Sequence, residues 1–337
     1  MTIPSGALRF NSDSGKLEYY NGEVWWQIDN FSADNATGGA RGVFGGGENP
    51  SDVATSHIGY ITISTTGNSL TFGELSAARK LTQGSFASST RGLWGGGYSP
   101  VLNIIEYVTI SSTGNAIDFG DLTIARWGVA GASSSTRGLF TGGTIGPGTI
   151  GAGVNEIEYV TIASIGNAVD FGDLQQEVAG SASCSSSTRA IVAGGVEDAP
   201  NASVNTVNFI TISTLGNASD FGDLVSVNSQ FSSCSNSTRG LFGGGNTPTK
   251  TNVIQFITIA TLGNAVDFGD LTVARSSAGS CSSSTRGVFL GGSTPVGVNT
   301  IDFVTILTTG NAVDFGDTPS STSTSNFGAC SNGHGGL

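Results

Sequence analysis

The residues able to do chemistry in this chain are few. It carries two histidines, His57 and His334, four cysteines, Cys184, Cys234, Cys281 and Cys330, and six versions of an acidic segment typified by GNAVDFGDL at Gly263 to Leu271. Asp-Phe-Gly can hold Mg²⁺ in a phosphoryl-transfer site. That role needs a Gly-rich nucleotide loop, a phosphate-binding Lys and a catalytic loop, and the sequence has none of these. A Ser/His/Asp or Cys/His machine would have to use His57 or His334, and neither accompanies a nucleophile context such as Gly-x-Ser-x-Gly. The cysteines lack Cys-x-x-Cys spacing and a His partner. They recur at matched places in a repeat, so they are expected to be small buried hydrophobes, too far apart for disulfides. Acid pairs such as Asp267/Asp270 and Asp314/Asp317 also recur, whereas a glycosidase needs one unique pair and calcium a dedicated loop of oxygens. Turn capping, or pairing with the repeat arginines, is the expected role. No enzymatic activity, no metal and no cofactor is expected.

The elements that position these residues are repeats. Arg41, Arg91, Arg137, Arg189, Arg239 and Arg286 lie 50, 46, 52, 50 and 47 residues apart, each followed by a short apolar run and a Gly-Gly pair, as in RGLFGGG. A period near 50 is that of a propeller blade and not of a helical solenoid. Each unit reads as four strands: a Ser-rich strand a, the Arg strand b, a β-branched strand c such as VIQFITIATL, and strand d, AVDFGDL. The Gly-Asn between c and d supplies the positive-φ residues of a tight turn. An aromatic in strand c precedes the Phe of strand d by twelve residues in every unit, from Tyr60/Phe72 to Phe303/Phe315, which implies an insertion-free hairpin. Each such Phe is expected to be buried between neighbouring units, worth roughly 1.5–3 kcal/mol.

The order DLTVAR…SSSTRGVFLGG, Asp270 to Gly292, resembles the kelch repeat over residues 31 to 337. The resemblance implies an all-β fold: a six-bladed kelch-like β-propeller of four-stranded blades. Phe replaces the kelch tryptophan, and the loop Arg persists only at Arg79, Arg126 and Arg275. Kelch-type copper oxidases use Tyr, His and Cys ligands, and the His content here argues against such a site. The ring can be closed by the C-terminal segment NFGACSNGHGGL or by Phe31 to Arg41; the C-terminal strand is preferred. Residues 1–30 form a separate module, a three-stranded β-meander with turns at Asp-Ser-Gly and Asn21-Gly22 that is too small to stand alone. It resembles the hairpin module of bacteriophage tail-fibre proteins, with Gly15 to Glu18 and Asn21-Gly22 before Trp25 as the matching residues. By that resemblance Leu17, Tyr19, Trp25 and Trp26 anchor the chain to other virion proteins, a trimer is possible, and the protein resides in the virion after assembly in the host cytoplasm.

Composition narrows the partners. A net charge of −12 disfavours nucleic acid. No run of 18 apolar residues and no leader pattern occurs, so no membrane insertion is expected. The a–b and c–d turns are nearly uniform, while the b–c loops vary in length and content, and each carries one proline: Pro50, Pro100, Pro147, Pro200, Pro248 and Pro295. Uniform scaffold with stiff variable loops is the pattern of a recognition surface, and neutral drift of surface loops is its alternative. Tyr98 and Trp127 are the expected aromatic platforms, with Asn49, Asp198, Asn201, Asn246 and Lys250 as polar contacts for a host-surface polysaccharide. The expectation is thus a non-enzymatic phage structural protein, a tail fibre or tail appendage that binds a host glycan or a neighbouring virion protein. The alternative is an intracellular kelch-type interaction scaffold.

Overall fold

The computed structural model describes residues 4–11, 16–28, 40–80, 83–146, 152–197, 201–319 and 324–337. Within them the chain is all-β, with no helix. Six four-stranded antiparallel sheets repeat in a propeller-like arrangement. Sheet 1 combines Gly328–Ser331 with Arg41–Gly45, His57–Thr62 and Leu70–Glu74. Sheet 2 is Ser85–Ala87, Arg91–Gly95, Ile104–Thr109 and Ile117–Asp121. Sheet 3 is Ala130–Ser133, Arg137–Thr141, Glu156–Thr161 and Val169–Asp173. Sheet 4 is Ala182–Ser185, Arg189–Ala193, Thr206–Thr211 and Ser219–Asp223. Sheet 5 is Ser232–Ser235, Arg239–Gly243, Val253–Thr258 and Val266–Asp270. Sheet 6 is Gly279–Ser282, Arg286–Leu290, Thr300–Thr305 and Val313–Asp317. In each, the strands run in spatial order a, b, c, d. The strand-a position of sheet 1 is held by the C-terminal segment, Gly328–Ser331 pairing with Arg41–Gly45; residues 31–39 lie outside the described residues.

The six a strands neighbour one another in the order of sheets 2, 3, 4, 5, 6, 1 and back to 2. Their serines explain why such a polar segment lies innermost. Ser133 Oγ donates to Ala87 O at 2.8 Å, Ser185 to Ser133 O at 2.7 Å, Ser235 to Ser185 O at 2.7 Å, Ser282 to Ser235 O at 2.8 Å and Ser331 to Ser282 O at 2.6 Å. A hydroxyl short enough to reach the neighbouring sheet's carbonyl satisfies groups that would otherwise be buried unpaired.

Neighbouring sheets are riveted at their outer edge by the Asp-Phe-Gly-Asp segment. In every c–d hairpin the register shifts at the strand-d Phe, so the hairpin is not insertion-free: a one-residue bulge recurs at the same place, which keeps the twelve-residue spacing constant. The bulge turns each Phe edge-on to the strand-c aromatic, ring centroids 5.9–6.4 Å apart. The following Gly leaves room for the next sheet's Gly-Asn turn: a Cβ on Gly172 would stand 2.5 Å from Gly216 O. Of that turn, Gly166, Gly216, Gly263, Gly310 and Gly67 take positive φ, while the Asn side chain reaches back to the preceding sheet instead. Asp173 N donates to Asn217 Oδ1 at 3.1 Å, and Asp317 N of sheet 6 donates to Asn68 Oδ1 of sheet 1 at 3.0 Å.

The repeat arginines supply a second rivet. Each guanidinium stacks on its own strand-c aromatic, 4.5–4.8 Å from the ring centroid, and donates to a backbone carbonyl of the next sheet, as Arg91 Nη1 does to Ile162 O at 2.8 Å and Arg286 Nη1 to Ile63 O at 3.1 Å. Among the described residues, the ion pairs leave these six arginines out, so the expected pairing with the repeated acids is replaced by cation–π stacking.

The N-terminal segment is a three-stranded antiparallel meander, Leu8–Asn11, Lys16–Tyr20 and Trp25–Ile28. Asn21 Oδ1 accepts from Glu23 N and Val24 N, which fixes the Asn-Gly turn. Arg9 pairs with Glu18 at 2.8 Å and lies 4.2 Å from the Trp25 ring centroid.

Candidate functional site

Residues of the b–c loops of sheets 1, 2, 4, 5 and 6 and of five d–a links line a cavity of about 600 Å³ at one end of the a-strand ring. Its throat is built by the residues that precede strand a. Gly128, Gly180, Gln230, Ser277 and Asn326 all have left-handed φ, between 53° and 66°. Their amides join in succession: Gly180 N to Gly128 O, Gln230 N to Gly180 O, Ser277 N to Gln230 O and Asn326 N to Ser277 O, at 2.6–2.9 Å. Such backbone is cheap for Gly and strained for Gln, Ser and Asn, by about 1–3 kcal/mol each, and clusters where side chains are held for a purpose. Gln230, Ser277 and Asn326 line the cavity.

Five of the expected contact residues come together here: Tyr98, Trp127, Asn201, Asn246 and Lys250. Tyr98 is half-buried, exchanges backbone hydrogen bonds with Lys80, and packs its ring 5.2 Å from that of Trp127. Trp127 itself is only 8% exposed and donates Nε1 to Gly146 O at 2.8 Å, so it backs Tyr98 instead of offering a face of its own. Asn49 does not line the cavity. Its Oδ1 accepts from Ser51 N and Val53 N, tying its own loop into a turn. Asp198, Pro147 and Pro200 lie outside the described residues. Of the expected anchors in the meander, Tyr19 and Trp26 are 40% and 55% exposed, Trp25 sits between Arg9 and Tyr20, and the Leu17 side chain lies outside the described residues.

Residues outside the expected contact set complete the wall: Glu48, Asp52, Lys80, Ser276 and Ser293. Lys80 Nζ bridges Glu48 Oε2 at 2.9 Å and Asp52 Oδ1 at 2.6 Å. Partial burial works against its charge, but the two carboxylates outweigh this and raise its pKa. The other Glu48 oxygen accepts from Ser325 Oγ at 2.9 Å and Asn326 Nδ2 at 2.7 Å. Lys250 Nζ is held differently, by Ser293 Oγ at 2.9 Å and by Thr294 O, and burial lowers its pKa. The signal for the throat residues was present in sequence: they stand where sheets 3 and 4 place Gly.

Two other candidate chemistries take structural positions. The four thiols pack over strand-b positions of the following sheet, where a Cβ on Gly240 would stand 2.6 Å from Cys184 Sγ and one on Gly287 2.6 Å from Cys234 Sγ. Full burial raises their pKa values, to about 12 for Cys234 and Cys330. His334 lies in the C-terminal tail, which crosses the end of the ring opposite the cavity. Its Nε2 donates to Ala87 O at 2.7 Å, its Nδ1 accepts from Gly336 N at 3.0 Å, and Gly335 N reaches Ser235 O at 2.9 Å. That network assigns a neutral ring.

Arg79, Arg126 and Arg275 are buried at the base of the d–a links, ion-paired with Glu106 at 2.6 Å, Glu158 at 2.7 Å and Asp302 at 2.9 Å on strand c of the next sheet. The matched positions are Val178 with Asn208, Asn228 with Gln255, and Thr324 with Gly59. An acid stands only where an arginine does, a correlation inside one sequence that marks the pairs as units. They hold the links that carry the throat.

Compared with known proteins, the chain matches no protein-family model and no curated protein.

Proposed function

We propose that the six sheets are the blades of a closed kelch-like β-propeller, and that the chain is a non-enzymatic structural protein of a bacteriophage virion. In this reading it is a tail fibre or tail appendage, attached to other virion proteins through residues 1–30. The propeller presents its variable-loop face to a host-surface glycan. The observation that carries the recognition role is the convergence of five expected contact residues on a single cavity of about 600 Å³, within the roughly 300–1,000 Å³ of small-ligand sites. Tyr98 supplies an apolar face, and Asn201, Gln230, Asn246 and Asn326 supply amides that can both donate and accept to hydroxyls. Resemblance of the meander to tail-fibre modules supports the virion assignment.

The test is adsorption of labelled, purified protein to a panel of candidate host cells, with and without periodate oxidation of surface glycans. Binding to a narrow set of strains that periodate abolishes supports the receptor role. Binding that survives periodate, or none to any strain, overturns it and points the loops toward a neighbouring virion protein.

A further inference from the structure

The two lysines of the cavity differ in how their charges are met. Lys80 is bracketed by two carboxylates. The Lys250 ammonium contacts two neutral oxygens, Ser293 Oγ and Thr294 O, leaving one N–H and the net charge without an anionic partner in the described wall. Asn246 and Lys250 face each other across a short bridge in the sheet 5 b–c loop, with Pro248 stiffening the tip, so the ammonium is held on a rigid support.

Position adds to this. Tyr98 belongs to the sheet 2 b–c loop and packs on Trp127 in the link to sheet 3, while Lys250 belongs to sheet 5 and bonds to the sheet 6 loop. In a ring of six, sheets 2 and 5 stand opposite. The cavity therefore has an aromatic surface on one wall and an uncompensated cation on the other. Lys80 bridges both acids of the wall, Glu48 and Asp52, and Glu48 is also held by Ser325 and Asn326; two carboxylates on one lysine keep one net negative charge there, so selection for an anion rests on Lys250, which pairs with neither. The hydroxyls of a neutral sugar can accept from the free Lys250 N–H but leave its charge unmatched, whereas an anionic group supplies both the acceptor and the opposite charge.

Resting on the glycan reading above, we infer that this cavity selects an anionic saccharide, one whose sugar ring lies on Tyr98 and whose carboxylate or sulfate is met by Lys250. Asn246 stands beside Lys250 to donate to the same group. With a net charge of −12, the chain does not steer anions from a distance, so selection rests on these local contacts.

The experiment is calorimetric titration of the full chain with three hexasaccharides: a polyuronate, a sulfated galactan and a neutral glucan. Wild type is expected to bind the uronate or the sulfated oligomer at least 10-fold more tightly than the neutral one, and which of the two it prefers separates carboxylate from sulfate. Lys250→Met should remove that preference, Lys250→Arg should retain it, and Tyr98→Ala should weaken every sugar, with unfolding temperatures checked for each variant. Equal binding of neutral and anionic oligomers, unchanged in Lys250→Met, overturns the anionic inference and leaves the glycan reading standing. Absence of binding to all three, together with host-cell adsorption that Tyr98→Ala leaves intact, overturns both.

Discussion

Glu158→Gln tests whether the links beneath the cavity are organised by their buried ion pairs. Arg126 and Glu158 are 1% and 2% exposed in their side chains and 2.7 Å apart, and the second Glu158 oxygen accepts from Thr123 N at 3.0 Å and from the Thr123 hydroxyl. Neutralising the acid leaves a guanidinium in a dry site, where burial already lowers the Arg126 pKa and the Glu158 charge opposes that shift. Breaking such a pair on one side costs about 3–5 kcal/mol, whereas replacing both members is near neutral. With about 2.1 cal/mol/K of unfolding entropy per residue, a chain of 337 residues unfolding as a unit has about 0.7 kcal/mol/K, so the loss corresponds to a fall in Tm of about 4–7 °C. The chain contains its own control. Sheet 5 is served by Asn228 and Gln255 in these positions, with Gln255 Oε1 still accepting from the link amide of Val225 at 2.8 Å. Adding Arg126→Asn to Glu158→Gln copies that arrangement and should recover most of the lost stability, read by far-UV circular dichroism or calorimetry. A fall below about 1 °C for the single variant, or a double variant as unstable as the sum of both singles, would refute the reasoning.

Gly172→Ala and Gly166→Ala separate backbone strain from contact between sheets. Both glycines have positive φ, 148° and 156°, but a Cβ at Gly172 meets the carbonyl of Gly216 at 2.5 Å, while one at Gly166 meets nothing within 4 Å. Strain alone should cost about 1–3 kcal/mol at Gly166, with a larger loss at Gly172, and equal losses in chemical denaturation would sink the rivet account. His334 makes stability fall in acid: burial lowers its folded pKa below the unfolded value near 6.5, so its contribution is complete above about pH 6.5 and is lost as pH drops below that toward the folded pKa. His57 shifts the same way through burial. His334→Gln should flatten the dependence of Tm between pH 7 and 5 by part of its slope, and an unchanged slope would place the sensitivity elsewhere.

Repetition is what makes this fold readable. A strand that recurs six times, with Arg at one end and Gly at the other, announces its register, and the constant twelve-residue spacing from Tyr60 to Phe72 and onward recorded a bulge even though it read as a plain hairpin. Arg79, Arg126 and Arg275 were visible as survivors of a family pattern, yet their partners stand 27–32 residues away and needed the matched blanks in the other sheets to be recognised. The serine-rich segments looked like low-complexity filler because a hydroxyl bonding to a carbonyl 46–52 residues earlier leaves no local trace.

By itself, then, the sequence determined the period, the strand types and the end of the molecule where variation collects. Tertiary structure decided which variable residues share a cavity, that Trp127 supports Tyr98, that Asn49 serves its own loop, and that Lys250 keeps a charge without an acid beside it. The physical reason is that strand pattern is written by neighbours two residues apart, whereas the cavity is assembled from a few residues each of several repeats far apart in the chain. Their meeting depends on how the sheets turn around a common axis, and no single repeat encodes it.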